Sequence, residues 1–147
     1  MIRAAAFIFV TLVSIPANAE MIRKESSYPV AETVDRLEAA ATARGLTIFA
    51  RIDHAAGAKK VGQELRPTQL IVFGSPAAGT PLIQAEQTMG LSLPLKALAW
   101  QDAAGKVWLG YDVPADVAAE RGLPRDHPVV GQITKALSAL TDAAIKR

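Results

Sequence analysis

Apolar residues change their spacing along this chain in a way that separates helical from extended stretches. Met21 to Ser27 reads as a short first strand, after which Pro29 suits a first helical turn, where its missing N–H costs nothing. Val30, Val34, Leu37 and Ala41 then recur at helical spacing, and Gly45 stops that helix in the left-handed conformation open to glycine. Leu46, Ile48, Ala50 and Ile52 alternate with Thr47, Phe49 and Arg51, the period of a strand with one face better buried, and Asp53 closes it. Ala55 to Val61 reads as a short helix, and the unbroken run Leu70 to Phe73 as a strand covered on both sides or placed centrally. Gly74 to Pro81 is a loop entering a helix from Pro81 to about Met89, with Gly90 at its end. Leu93–Trp100 and Val107–Asp112 are strands separated by Gln101–Lys106, a hairpin signal. Pro114–Arg121 is a short helix ended by Gly122. Asp126, His127 and Pro128 open a last helix, with Ile133, Leu137, Leu140 and Ala144 on one stripe and Lys146 and Arg147 at its negative end.

The resulting order, β-α-β-α-β-α-β-β-α-α, has no internal repeat and no linker long enough to divide it. It predicts a single α/β domain of the two-layer α+β kind, a mixed sheet of about five strands with an antiparallel hairpin, packed by helices.

The first residues read differently. Arg3 gives a short basic start, Ala4 to Ile15 an uncharged apolar run, and Pro16 to Ala19 a helix break followed by small residues at the positions a signal peptidase reads. Residues 1–19 are therefore expected to be a cleavable export signal, cut between Ala19 and Glu20, and residues 20–147 the domain. A retained anchor is the rival reading, but the run is shorter than the roughly 20 apolar residues that cross a bilayer. The expected destination is the periplasm or the medium, as a soluble protein with no membrane contact after cleavage.

Composition narrows the chemistry. With no cysteine among 147 residues, thiol catalysis, disulfides, lipoprotein anchoring and cysteine metal sites are all excluded. Stability must come from packing, and a domain this long buries roughly two-thirds of its unfolded surface. The net charge is +2, and Lys and Arg are scattered among Asp and Glu rather than gathered into a stripe, so nucleic acid is not an expected partner.

Three segments together resemble a known family: Arg51 to His54 with Lys59, Lys60 and Gly62 behind it; Ile71 to Leu82; and Gly90 to Lys96 leading to Trp108 to Asp112. The chain resembles the bacterial and archaeal family called domain of unknown function 302, over about Ser26 to Leu123. The resemblance implies a small α/β domain and no activity. Two departures from the family's pattern are Ser75, where asparagine is expected, and Ser92, where aspartate is expected.

Candidate chemistry gathers in three places. Gly74 and Gly79 have the spacing of a phosphate-binding loop, but Thr80 and Pro81 stand where its lysine and hydroxyl belong, and Pro76 and Pro81 each delete an N–H. What remains is a small-molecule or anionic contact using Ser75, Thr80 and free amides, against the blander reading of Thr80 as a helix N-cap. Ser75 is no hydrolase nucleophile, because Pro76 cannot supply the oxyanion N–H. Asp53, His54 and Lys59 form the one titratable cluster, weak catalytic candidates against a capping role for Asp53. Trp100, Trp108 and Tyr111 belong to the hairpin, as core or as a pocket wall, with Asp112 beyond them. No metal or other cofactor is expected: the two histidines, His54 and His127, have no ligand spacing.

The expected function is an exported binding or accessory protein, its pocket between the His54 edge, the Gly74–Thr80 loop and the Tyr111–Asp112 strand end. The alternatives are an enzyme using His54 and Lys59, and a structural homodimer formed through a strand edge or the apolar face of the last helix.

Overall fold

The computed structural model describes residues 19–146; the body of the expected export signal and Arg147 lie outside the described residues. The elements are β1 (Met21–Ser26), α1 (Val30–Ala43), β2 (Thr47–Asp53), α2 (His54–Lys60), β3 (Thr68–Gly74), α3 (Pro76–Ala85), β4 (Leu95–Gln101), β5 (Val107–Asp112), α4 (Pro114–Glu120) and α5 (Pro128–Ile145). A 3-10 turn, Gln87–Leu91, precedes β4. This is the order that apolar spacing predicts.

The strands form one sheet in the order β1-β5-β4-β3-β2. Every pairing is antiparallel, which corrects the expected mixed sheet while keeping the two-layer α+β class. The segments holding α2 and α3 each return the chain to a neighbouring antiparallel strand, as two wide hairpins, whereas α1 carries it from β1 at one edge to β2 at the other.

One face of the sheet takes the helices. Val34, Leu37 and Ala41 of α1 and Ile133, Leu137 and Leu140 of α5 bury against Ile71 and Phe73 of β3, Ala97 and Ala99 of β4, and Leu109 and Tyr111 of β5. Arg36 of α1 donates to the last carbonyls of α5, those of Ala143, Ala144 and Lys146, and stacks 4.1 Å from the Tyr28 ring. A cation there offsets the negative end of the helix.

The opposite face is bare among the described residues. β3 is flanked by strands on both sides, yet Leu70 and Val72 face outward, so its apolar run reflects central placement rather than two covered faces. Trp100 and Trp108 lie directly opposite one another, as the hairpin predicts, but on this bare face and not in the core. Alternation decides it: Ala99 and Leu109 already occupy the buried side. Tyr111 does belong to the core.

A bulge changes the expected phase of β2. Ile48 pairs with Phe73 and Ala50 with Val72, leaving Phe49 as the extra residue. Ile48 therefore faces the core while Ala50 and Ile52 face the bare side. Arg51 turns to the helix layer, where it pairs with Asp35 and Glu38 of α1.

Candidate functional site

The segment after β3 folds earlier than its prolines suggest. Ser75 has extended backbone and Pro76 takes the first helical position, so α3 begins five residues before the expected start at Pro81. Pro81 sits inside the helix, where it leaves the Ala77 carbonyl without its intrahelical donor. Thr80 is consequently a mid-helix residue and not the N-cap; that position belongs to Ser75, whose hydroxyl makes no capping bond.

This early helix closes one side of a cavity of about 350 Å³. Gly79, Thr80 and Ile83 of α3 form one wall, and Ile133, Ala136 and Leu140 of α5 another. Leu93, Pro94 and Leu95 lead into β4, while Leu46 and Phe49 close the β2 side. The bulge is what brings Phe49 there, and Phe49 remains 51% exposed at the rim. No residue bordering the cavity carries a charge; Ser75, Thr80 and Gln132 are its polar side chains. A Cβ at Gly79 would meet only Leu93 Cδ1, at 3.6 Å, with open space otherwise. The chemistry on offer is burial of an apolar group, with a few hydroxyl and amide partners at fixed points. Acid–base or nucleophilic work has no base to draw on among the lining residues.

Of the residues singled out from the sequence, Gly74, Ser75, Gly79 and Thr80 all border this cavity. His54, Asp53 and Lys59 do not. Gly74 ends β3 whereas Asp53 pairs with Gln69 near its start, so the two groups sit at opposite ends of one hairpin, roughly 15–20 Å apart at about 3.3 Å per residue. Asp53 is spent on structure: Oδ1 accepts from the Ala56 N–H at 2.8 Å, capping α2, and Oδ2 accepts from Gln69 Nε2 at 3.1 Å. His54 and Lys59 are exposed on α2. Tyr111 is buried, with Lys24 Nζ 5.9 Å from its ring, and Asp112 is exposed opposite Met21. The structure does not bring these residues together with the Gly74–Thr80 segment.

Sequence reasoning missed Phe49 and the α5 wall. Phe49 carries no signal, because a bulge is invisible to a period of two. The α5 wall carried a partial one, since Ile133 and Leu140 were already on the buried stripe.

Perturbed carboxylates lie elsewhere and serve the fold. Asp102 is held below the usual carboxylate range chiefly by the Trp108 indole N–H, which donates to it at 2.8 Å, and also by the N–H groups of Lys106 and Ala104. This fastens the β4–β5 turn. Asp142 is lowered by Lys24, whose ammonium also donates to Thr141 Oγ1 and ties β1 to α5. Glu86 is lowered by the N–H and hydroxyl of Thr88, and Asp116 by the Glu20 N–H, then by Arg125.

Comparison with known proteins gives three findings. The profile of the family described as Domain of unknown function DUF302 matches residues 22–144. The fluoride-specific ion channel FluC 1 of Brucella suis biovar 1 is 46% identical over 119 residues, which cover 80% of this chain and 47% of that protein. FluC 2 of Brucella melitensis biotype 1 is likewise 46% identical over 119 residues, covering 44% of its length, so the chain spans just under half of the curated relatives it matches. An uncharacterized conserved DUF302 protein from Bacillus stearothermophilus has a crystal structure that superposes with a TM-score of 0.76 at 19% identity, over 84% of this chain and 97% of that one. At that identity the likeness is one of fold.

Proposed function

The chain belongs to the DUF302 family, and from that footing we propose that it is an exported binding or accessory domain whose ligand is a small, largely apolar molecule. One observation carries the reading: the cavity of about 350 Å³ between α3, α5 and the β2 bulge, bordered by carbon and a few neutral polar groups. Gly79 supports it, because glycine within a helix costs about 1 kcal/mol against alanine and here keeps space open. At about 30 Å³ per water, the cavity has room for roughly 12 non-hydrogen atoms. Export rests on residues 1–19 being a signal.

Titration with toluene and indole, followed by amide NMR, tests the site. Saturable shifts centred on Gly74, Ser75, Gly79 and Ala136 are expected, and weaker binding in Gly79→Phe. Shifts centred on α2 or on the bare sheet face would overturn the assignment.

A second reading comes from the relatives named as fluoride-specific ion channels, in which the matching stretch is part of a longer protein. No helix among the described residues here is long and apolar enough to cross a membrane. The domain would then act as an extramembrane accessory beside a channel. Fluoride itself is a poor fit to a cavity without a cation. Deleting the chain should lower the fluoride concentration at which its cells stop growing; an unchanged threshold refutes this reading.

A further inference from the structure

The helices gather on one side of the sheet: α3 and α4 pack on α5, α5 on α1, and α2 lies beside the start of α1. That leaves the other side uncovered among the described residues, and its composition is unlike an ordinary solvated face. Reading across the strands, one row runs Arg23, Gly110, Leu98, Leu70, Ile52. The next runs Glu25, Trp108, Trp100, Thr68. Val72 and Ala50 extend the apolar area. Gly110 lies under the Trp100 ring, where a Cβ would come within 3.0 Å of Cζ3. The Arg23 guanidinium covers Trp108 at 5.2 Å. A contiguous apolar face of this kind marks an interaction surface.

We propose that this face is the interface of a homodimer, two copies packing sheet against sheet about a two-fold axis near Leu98 of the middle strand β4. Two arguments select a second copy as the occupant. The first is area. Strands about 4.8 Å apart and about 20 Å long make a face of roughly 500 Å², so two copies cover about 1,000 Å² before side-chain relief is counted. That reaches the lower bound for a specific interface. The second is charge. In a two-fold contact every charge meets a copy of the same face, so a face of one sign repels itself. This face is balanced: Arg23, Lys96 and Lys106 stand against Glu25, Asp102 and Asp112 around the uncharged centre. The surface differs from both a strand edge and the α5 stripe, which is already buried against the sheet.

Light scattering coupled to gel filtration on the chain beginning at Glu20 tests the proposal. The expected mass is that of two chains at about 50 µM, and of one chain for Leu98→Arg, which sets two like charges across the axis. Leu98 is outside the core, so Leu98→Arg keeps the wild-type far-UV circular dichroism, and Leu98→Met stays dimeric. Tryptophan emission provides a second reading: Trp100 and Trp108 shift to longer wavelength when wild type is diluted to monomer. A one-chain mass for wild type at 50 µM, or a two-chain mass for folded Leu98→Arg, would overturn it.

Discussion

Replacing Gly79 separates the cost of holding the cavity open from the benefit of using it. Gly79 is the fourth residue of α3, and its φ is not in the left-handed region, so alanine meets no backbone strain. The added methyl finds Leu93 Cδ1 at 3.6 Å, an ordinary contact, and nothing closer. Helix propensity favours alanine by about 0.8–1 kcal/mol, and the new contact adds only about 0.1–0.2 kcal/mol. Gly79→Ala should therefore stabilise the domain by about 1 kcal/mol, a rise in Tm of about 3–6 °C for a chain of this size. Gly79→Phe asks more. A ring-sized guest needs a cavity of only about 150 Å³, and about 350 Å³ is present, so the variant should fold with its phenyl group inside and weaken the binding of other guests by filling part of the space. Scanning calorimetry of both variants, with the toluene titration repeated on each, makes the measurement. A fall in Tm for Gly79→Ala would refute the packing described for α3. Undiminished toluene binding by folded Gly79→Phe would refute the site.

Three further outcomes are expected. Leu37→Ala removes a fully buried side chain between α1 and the sheet and should cost about 2–5 kcal/mol in urea unfolding; a loss under about 1 kcal/mol would contradict that packing. Asp102, Asp116, Asp142 and Glu86 are all held below their ordinary values in the folded state, so the unfolded chain binds protons more readily. Their stabilisation is complete above the unfolded carboxylate range and is lost as pH falls through the folded values. The urea midpoint should thus drop from about pH 5 downward, less steeply in Asp142→Asn, and an identical slope in that variant would contradict the Lys24 assignment. In the chain cleaved after Ala19, the Glu20 nitrogen, 2.9 Å from Asp116 Oδ2, is an ammonium. Asp116→Asn should therefore lower Tm more in that chain than in one still carrying residues 1–19, because a charge-assisted bond is the stronger one.

Much of the fold was legible because single-element signals agree with the tertiary structure. Helical spacing in α1 and α5, glycines after α1 and α4, and the Gln101–Lys106 turn all mark what they mark elsewhere. Strand orientation was not legible, since the β1–β2 and β3–β4 connections are equally long yet one leads to the far edge and the other to the neighbouring antiparallel strand. Pro81 misled because a proline at a first helical turn and one tolerated within a helix look alike until Pro76 is seen to hold the first position. The Gly74–Thr80 half of the site was visible as a small-residue loop next to a strand. Its other half came from Phe49, moved by a bulge, and from α5, some fifty residues further along the chain; neither distance nor bulge is written in local periodicity.

Native mass spectrometry of the chain isolated gently from its own cells bears most directly on the cavity as a ligand site. Wild type should carry an added mass in the range of a small organic molecule, released on denaturation and reduced in occupancy in Gly79→Phe. No added mass in wild type, or the same added mass at undiminished occupancy in Gly79→Phe, would contradict it.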